Sequence, residues 1–350
     1  MNKIKSHPFF IRLFNWEYWP FHAVYGPIYL YWIWLCIKSR SFFFFTASNP
    51  TIEYGGFLME SKMKIYDLMP KEYYPPTILI KANTPAAEVL QLAEKYQLHF
   101  PLIGKPDIGG RGRGVKKLST KADVLAYASA SKVDFLLQEF VPYELEAGIF
   151  YYRIPGEDKG VVSGIVSKEF LAIVGDGKST MKQLLLQDQR YILQLPVLEK
   201  TMKDELDVVL PKGEYKVLVP YGNHCRGAKF IDVTSLVDEQ LNTAIDFICQ
   251  RVNGFYFGRM DIRFTSWDLL KQGKKFSIIE LNGAGSEPTH IYDSNHSIFF
   301  AWKEIIRHWN FLYTISKLNK SQYPFMSFKD GVQMFRDDSK YEKVLTSTSY

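Results

Sequence analysis

The 350-residue sequence predicts a mixed α+β fold, in which strands, amphipathic helices and glycine-rich loops alternate. Two apolar runs, Phe255–Phe264 and Phe276–Leu281, have the length and composition of strands, and a polar turn joins them as a hairpin. Ala86–Tyr96 carries apolar residues at the spacing of an amphipathic helix. A chain of this length buries a sizeable core and is expected to hold two or three domains.

Charge and cysteine content narrow the classes of function. The net charge of +6 is mild for this length, so it favours acidic ligands such as nucleotides or anionic lipid and does not argue for nucleic acid. Cys36, Cys225 and Cys249 are few and widely spaced, which predicts neither a disulfide framework nor a zinc site. No cleavable signal peptide is expected. We therefore predict a reducing, cytoplasmic location.

The first region, residues 1–76, is unusually aromatic. The run Phe21–Ile37 is almost free of charge and is followed by Lys38 and Arg40. It is short for a spanning helix, which needs about 20 apolar residues. Aromatic residues with basic flanks are typical of the membrane interface, so we predict that residues 16–45 contact the inner face of a membrane. The alternatives are packing against the protein's own core or a homodimer interface.

Three polar side chains in the predicted hairpin have the pattern of a metal site. Asp261 lies in the first run, and Glu280 and Asn282 lie two apart at the end of the second. Residues two apart in a strand point to the same side, and strand pairing would bring Asp261 to them. Two carboxylates and an amide oxygen suit Mg²⁺. The alternative is a charged hairpin with solvated ends.

A glycine-rich loop follows the predicted strand Phe100–Lys105. The segment Gly109–Gly114 contains four glycines and two arginines, and its backbone N–H groups can approach phosphates. It lacks the Gly-Lys-Ser/Thr ending of a Walker A loop. Lys105 can reach phosphates as a point charge. A plain flexible connector is the alternative interpretation.

The predicted strand Phe135–Val141 ends at Pro142, which leaves free backbone groups near its end. Such an edge suits an adenine ring. Glu144 and Glu146 follow within reach of a ribose hydroxyl pair.

Taken together, these segments resemble the ATP-grasp superfamily. The chain is similar to D-alanine–D-alanine ligases and to the ATP-grasp regions of cyanophycin synthetase and bifunctional glutathione synthetase. The motifs are Lys105 before the glycine loop, QEFV with a downstream Glu, and the pair RMDIR and IIELN. The likeness also covers the AIVGDG stretch in Ala172–Leu185 and the loop Asn223–Asp232, and it extends over roughly residues 77–300.

The resemblance implies a role for each matching residue. Around ATP it implies Lys105 on the α/β phosphates, Gly109, Gly110, Arg111, Gly112 and Gly114 over the β/γ phosphates, Gln138 with the backbone of Glu139, Phe140 and Val141 at adenine, and Glu146 or Glu144 at the ribose. Around the reacting groups it implies Asp261, Glu280 and Asn282 on one or two Mg²⁺ ions, or Mn²⁺ in their place, Arg259 and Lys105 as catalytic residues, and Asn223, Arg226, Gly283, Gly285, Ser286 and His290 on the substrate side.

The implied fold holds the nucleotide between two α+β subdomains. The ATP-grasp domain would span residues 77–320, with a smaller lid subdomain at about 100–150 and a polar tail at 321–350. The implied activity is a carboxylate–amine ligase acting through an acyl phosphate. The alternatives are a phosphotransferase acting on a hydroxyl and a non-catalytic, membrane-associated nucleotide-binding protein. The loop GAGSEPTHIYD differs from the Pro-Gly-Met-Thr of the ligases, so a D-alanine substrate is not implied.

Overall fold

The computed structural model describes residues 7–110 and 112–348, and it confirms the mixed α+β class. The described chain forms two compact units, each assembled from three separate stretches. The smaller unit holds the described residues up to Tyr29, Val166–Val233 and Thr289–Glu304. The larger unit holds Leu30–Ile165, Thr234–Pro288 and the described residues from Ile305 onwards. The predicted first region, 1–76, is therefore shared between the two units.

The strands are short and lie between residues 77 and 282. They are β1 Thr77–Ile80, β2 Leu102–Pro106, β3 Lys116–Leu118, β4 Phe135–Glu139, β5 Leu145–Tyr152, β6 Val161–Glu169, β7 Leu171–Val174, β8 Tyr215–Val219, β9 Lys229–Asp232, β10 Phe257–Phe264 and β11 Phe276–Asn282.

The helices range from one turn to six turns. They are α1 Pro8–Phe14, α2 Phe21–Tyr25, α3 Tyr29–Ser39, α4 Lys62–Tyr66, α5 Ala86–Lys95, α6 Lys121–Ala130, α7 Met181–Leu185, α8 Gln189–Ile192, α9 Leu195–Thr201, α10 Glu239–Gln250, α11 Trp267–Lys271, α12 Ile298–Asn319 and α13 Phe328–Thr346.

The first sheet of the larger unit has the strand order β1-β4-β2-β3, and its neighbouring strands are antiparallel. Its core also includes side chains from α5 and α6, such as Val89 and Val124. Gly104 lies under the ring of Tyr127, where a Cβ would come within 2.9 Å of the ring carbons. Glycine is therefore required on β2, one residue before Lys105.

The second sheet of the larger unit has the order β11-β10-β5-β6. Strand β10 lies between two antiparallel partners, and nearly all of its residues are buried. A core of aromatic and aliphatic side chains in the same unit includes Phe44, Phe150, Phe257, Leu312 and Met334. This packing makes the β10–β11 hairpin a rigid platform for its polar side chains.

The smaller unit has its own core. Strands β7 and β8 pair, and the end of β6 pairs with β9. Leu171, Met181, Leu198 and Leu210 pack together in this unit. Helix α7 begins with a capping box in which Thr180 and Gln183 bond each other's backbone N–H groups.

The aromatic run Phe21–Ile37 is divided at Gly26 and Pro27 into α2, a short 3-10 turn and α3. One sequence expectation fails in the structure. The C-terminal segment is not a frayed polar tail, because Phe328–Thr346 is a helix with buried Met334 and Leu345. Within residues 7–110 and 112–348, no helix is both long enough and apolar enough to cross a bilayer.

Candidate functional site

The β10–β11 hairpin brings the predicted metal residues together. The strands are antiparallel, with Asp261 opposite Glu280 and Arg259 opposite Asn282. Directly opposed residues have Cβ atoms about 4.5–5.5 Å apart, and residues two apart share a face. All four polar side chains therefore belong to one face of the hairpin. The predicted pairing of the two runs is confirmed.

A bulge adjoins the Asp261–Glu280 pair and leaves Ile279, between Ile278 and Glu280, as an extra residue on β11. Bulges redirect backbone groups near functional sites. Here the Ile279 carbonyl accepts hydrogen bonds from the Tyr66 hydroxyl at 2.6 Å and from Lys105 Nζ at 3.0 Å. The bulge thus ties the hairpin to the lysine that the sequence predicts as a phosphate ligand.

Asp261 and Arg259 form a buried bidentate ion pair. Arg259 Nε and Nη2 each lie 3.1 Å from one oxygen of Asp261, whose carboxyl is 4% exposed. Arg259 Nη1 also donates to the Glu287 carbonyl at 3.1 Å. Burial by itself lowers the pKa of Arg259, but Asp261, Glu280 and Glu287 together outweigh it and the net pKa is raised. The guanidinium therefore stays charged and has a fixed orientation.

Glu280 and Asn282 retain more capacity for a ligand. Glu280 lies 3.8 Å from Lys62 Nζ and its side chain is 31% exposed. Asn282 Nδ2 is buried and, among the described residues, has no hydrogen-bond partner. An orphaned amide can turn its oxygen toward a cation, since the positions of N and O are interchangeable by rotation.

The donor set fits Mg²⁺. Carboxylate oxygens have spare lone pairs even when each accepts one hydrogen bond, so Asp261 can serve Arg259 and a cation together. In the part of the chain that the structure describes, no group of three or more His, Cys, Asp and Glu side chains could hold a metal. The predicted site differs from such a group because an amide provides its third ligand.

Lys105 is buried on β2 and surrounded by oxygen atoms. Its Nζ lies 2.8 Å from Gln138 Oε1, 2.9 Å from the Tyr66 hydroxyl and 3.0 Å from the Ile279 carbonyl. Burial lowers the pKa of Lys105 to about 8, although Glu280 and Asp107 favour its charged form. The ammonium is therefore held where its charge is costly without an anion nearby.

Helix α4 supplies two site residues that the sequence reasoning missed, Lys62 and Tyr66. Lys62 Nζ donates to the Gly109 carbonyl and faces Glu280, so it links the glycine loop to the hairpin. The two residues are four apart in a short helix, the spacing that places side chains on one face. A Lys-x-x-x-Tyr pattern was the available signal, but the segment lay outside the stretch covered by the resemblance.

The glycine loop has the backbone conformation that its composition predicts. Gly109, Gly112 and Gly114 have positive φ angles of 112°, 68° and 68°, which residues other than glycine rarely adopt. The predicted phosphate residue Arg111 lies outside the described residues. Helix α13 packs beside this loop, since Arg113 forms an ion pair with Glu342.

Part of the backbone edge that is predicted to bind adenine forms hydrogen bonds within the protein. The N–H groups of Glu139 and Phe140 donate to the carbonyls of Pro76 and Pro101. Considering the described residues alone, the Val141 N–H has no acceptor. Gln138 is committed through both side-chain atoms, since its Oε1 accepts from Lys105 and its Nε2 donates to neighbouring hydroxyls. Its implied contact with adenine stays a prediction.

Glu146 is engaged in an ion pair. It lies opposite Arg263 on the neighbouring strand, with Oε2 3.3 Å from Arg263 Nε, and it is 5% exposed. Glu144 is exposed. Binding of a ribose by Glu146 would have to share or break the ion pair, whereas Glu144 meets no such obstacle.

The substrate-side residues fall into both units. Gly283 and Gly285 belong to the larger unit, where Cβ atoms would come within 2.4 Å of the Gly55 carbonyl and 2.5 Å of the Phe57 carbonyl. These glycines therefore allow a close approach of two backbone segments. Ser286 Oγ donates to the Gly283 carbonyl at 2.6 Å.

In the smaller unit, Asn223 Oδ1 accepts from the Cys225 N–H at 2.8 Å and caps a short turn. Arg226 lies over the Tyr221 ring at 5.4 Å, and buried His290 lies 3.2 Å from Glu304. The substrate role of these residues stays a prediction.

Comparisons with known proteins give the following matches. No family model matches the chain. The glutathione biosynthesis bifunctional protein GshAB of Streptococcus mutans serotype c is 25% identical over 215 residues, which cover 55% of this chain and 28% of that protein. The chain thus matches less than a third of this curated relative.

Solved structures give a similar picture. A bifunctional glutathione synthetase from Pasteurella multocida has 15% identity and a TM-score of 0.41, with 77% of this chain and 37% of that chain covered. D-alanine–D-alanine ligase from Bacillus anthracis has 14% identity and a TM-score of 0.42, with 75% and 69% covered. The match to GshAB confirms the likeness to bifunctional glutathione synthetase that the motifs predict.

Proposed function

We propose that this chain is an ATP- and Mg²⁺-dependent ligase that joins a carboxylate to an amine. The observation that carries the proposal is the hairpin face with Arg259, Asp261, Glu280 and Asn282, whose bulged backbone also bonds Lys105. Gathering so many charged groups in the interior of one unit is costly unless they bind something. Cations beside paired carboxylates suit a nucleotide with its metal.

The chemistry of amide formation explains why Lys105 and Arg259 are both needed. A carboxylate is a poor electrophile, since direct attack by an amine would have to expel oxide. Transfer of the terminal phosphoryl group of ATP to a carboxylate oxygen gives an acyl phosphate and ADP. The amine nitrogen then attacks the acyl carbon, phosphate leaves and the nitrogen loses a proton. Positioning and charge neutralisation carry this sequence, so no protein nucleophile is required.

Within this scheme Lys105 binds the phosphates of ATP, and its buried position makes the ammonium a strong ligand for an incoming anion. Arg259, held by Asp261, neutralises the negative charge that develops on the acyl phosphate. Asp261, Glu280 and Asn282 would hold the cation. When bound, Mg²⁺ would neutralise phosphate oxygens and orient them.

For the nucleoside, we propose Glu144 as the ribose ligand. It is exposed, while Glu146 is bound by Arg263. The N–H of Val141, which has no acceptor among the described residues, would bind the adenine ring.

The location of the enzyme forms part of the same proposal. We propose that the enzyme is a cytoplasmic protein that contacts the inner face of a membrane through residues 16–45. The aromatic composition of this segment, and the absence of Asp, Glu, Lys and Arg from Phe21–Ile37, support it.

The test is ADP release by purified protein with Mg-ATP, measured against pools of amino acids, peptides and lipid-linked amines. The proposal expects ADP and phosphate release that depends on a carboxylate–amine pair, with a new amide mass. Asp261→Asn should abolish it. Asp204→Asn, which alters an exposed carboxylate in the smaller unit, is the matched control.

Two outcomes would contradict the proposal. A phosphorylated hydroxyl product without an amide would establish a phosphotransferase. ATP binding with no turnover, in pools that include membrane-bound amines, would favour the non-catalytic alternative.

A further inference from the structure

Helix α3 exposes an apolar side that the fold leaves uncovered. Leu30, Ile33, Trp34 and Ile37 are 77%, 47%, 46% and 71% exposed. Their spacing of three, four and seven residues places them on one stripe of the helix. The opposite side, with Leu35, is buried in the core of the larger unit. A helix that is apolar on both sides is unusual at a protein–water boundary.

Two more exposed aromatic rings lie near the end of the helix. Phe42 is 60% exposed, and its ring lies 6.0 Å from that of Phe328, which is 65% exposed. The backbone returns to the end of α3 here, since the Ser41 N–H donates to the Cys36 carbonyl. We call the set Leu30, Ile33, Trp34, Ile37, Phe42 and Phe328 the apolar face. It lies entirely within the larger unit.

Positive charges accompany this face. Lys38 is exposed, and its Nζ lies 4.7 Å from the ring centroid of Trp34 and 5.0 Å from that of Tyr313. Arg40 is also exposed. Residues 18–52 contain no Asp or Glu. A long cationic stem lying along an aromatic ring, with its charge in water, is the arrangement found at lipid headgroups.

The geometry favours a helix lying in the plane of the membrane. With 11 residues, α3 is about 16 Å long, roughly half the thickness of the hydrocarbon core. It is therefore too short to span, while its stripe is long enough to enter the headgroup and upper acyl region.

A second copy of the chain is a poorer occupant. A twofold dimer through this face would bring Lys38 and Arg40 of both copies to the same interface. Residues 18–52 offer no acidic partner, and the exposed Asp330 near Phe328 is offset by the adjacent exposed Lys329. Anionic lipid supplies the missing negative charge.

We propose that the apolar face docks onto an anionic membrane surface, with the aliphatic and aromatic side chains inserted and Lys38 and Arg40 at the headgroups. This extends the membrane contact in the proposed function. It does not depend on the ligase chemistry, because vesicle binding and ATP turnover can fail separately.

The test is flotation of the full chain with vesicles of phosphatidylcholine, alone or mixed with phosphatidylglycerol. Wild-type protein should float with the anionic vesicles, and added salt should weaken binding. The double variant Ile33→Ser/Ile37→Ser should lose binding by about tenfold or more, since it removes apolar groups that enter the membrane. Lys38→Glu/Arg40→Glu should abolish the preference for anionic lipid.

Phe247→Ser is the matched control, because Phe247 is 61% exposed on α10 of the same unit and lies outside the apolar face. It should float like wild type. Circular dichroism identifies any variant that fails to fold, and ADP release in solution reports the active site separately. Wild-type protein that stays unbound would overturn the proposal, as would a double variant that still floats. A dimer in solution that the double variant disperses would assign the face to a second copy.

Discussion

Raising the pH above 8 should weaken ATP binding, because Lys105 would then lose its proton in the ligand-free protein. Burial lowers the pKa of Lys105 to about 8 from the usual 10.5, and Glu280 and Asp107 only partly counteract burial. Tyr66, the titratable group bonded to Nζ, has a raised pKa and stays neutral in this range. The anion of ATP needs the charged form of Lys105.

The expected loss of ATP affinity follows from the pKa of Lys105. At pH 7 about nine-tenths of ligand-free molecules carry the proton on Lys105, and at pH 9 about one-tenth do. The dissociation constant for ATP should therefore rise about tenfold over this range. The metal-bound triphosphate has no further proton to lose there, so the change would be assigned to the protein.

The stability of the ligand-free protein should increase over the pH range in which ATP binding weakens. The pKa of Lys105 is lower in the folded than in the unfolded protein, so between about 8 and 10.5 the unfolded state binds more protons. The free energy of unfolding of the ligand-free protein should rise across this window, by at most about 3 kcal/mol from this group. Below pH 8 this contribution is absent.

The assay is calorimetric titration with Mg-ATP at a series of pH values, for wild type and Lys105→Arg. Arginine keeps its charge throughout, so the variant should lose the decline in affinity even if its affinity is lower overall. Denaturation at the same pH values reports stability. An identical decline in Lys105→Arg, or a flat wild-type profile, would refute the assignment of the phosphate site to this lysine.

The remaining predictions compare neighbouring acidic residues. Asp261→Asn and Glu280→Gln should each abolish ATP turnover. In unfolding experiments Asp261→Asn, which strands a buried cation, should lose about 3 kcal/mol or more. Glu280→Gln, at a side chain that is 31% exposed, should lose under about 1 kcal/mol, and equal losses would contradict the geometry. Glu144→Gln should raise the Michaelis constant for ATP with little effect on stability, whereas Glu146→Gln should mainly destabilise; the reverse pattern would restore the ribose role to Glu146. Glu342→Gln should cost under about 1 kcal/mol yet speed proteolysis in the glycine loop, and unchanged proteolysis would show that α13 does not hold that loop.

Local patterns sufficed for the parts of the site that lie on neighbouring strands. The alternation of side chains along β10 and β11 predicts that Asp261, Glu280 and Asn282 converge, and the pairing confirms it. The glycines of the loop likewise predict positive φ angles, because a positive φ is a property of single residues. Such features depend on separations of a few residues or on one hairpin.

Contacts between distant parts of the chain cannot be predicted from local sequence patterns. Tyr66 bonds the Ile279 carbonyl across 213 positions, and Lys62 reaches Glu280 from the same short helix. Glu146 lies 117 positions from Arg263, so its ion pair was invisible in the sequence. Nothing local distinguishes a carboxylate that awaits a ligand from one that a partner already binds.

The C-terminal helix shows the same limit on a larger scale. Ser327 caps α13 by accepting from the Asp330 N–H, a signal that the sequence did contain. The rest of the segment is polar, and its order comes from burying Met334 and Leu345 against other parts of the larger unit. Packing of this kind supplies most helical stability in proteins, so composition alone underestimated it.

The sequence by itself determined the class of fold, the hairpin with its candidate metal ligands, the glycine loop and the aromatic character of residues 16–45. Periodicity and residue chemistry carry that information because they act over a few residues. Only the tertiary structure decided that Lys105 is buried among oxygens, which carboxylates are already paired, and which side of α3 stays exposed. Burial and pairing depend on segments far apart in the chain, and they control the charge and reactivity of each group.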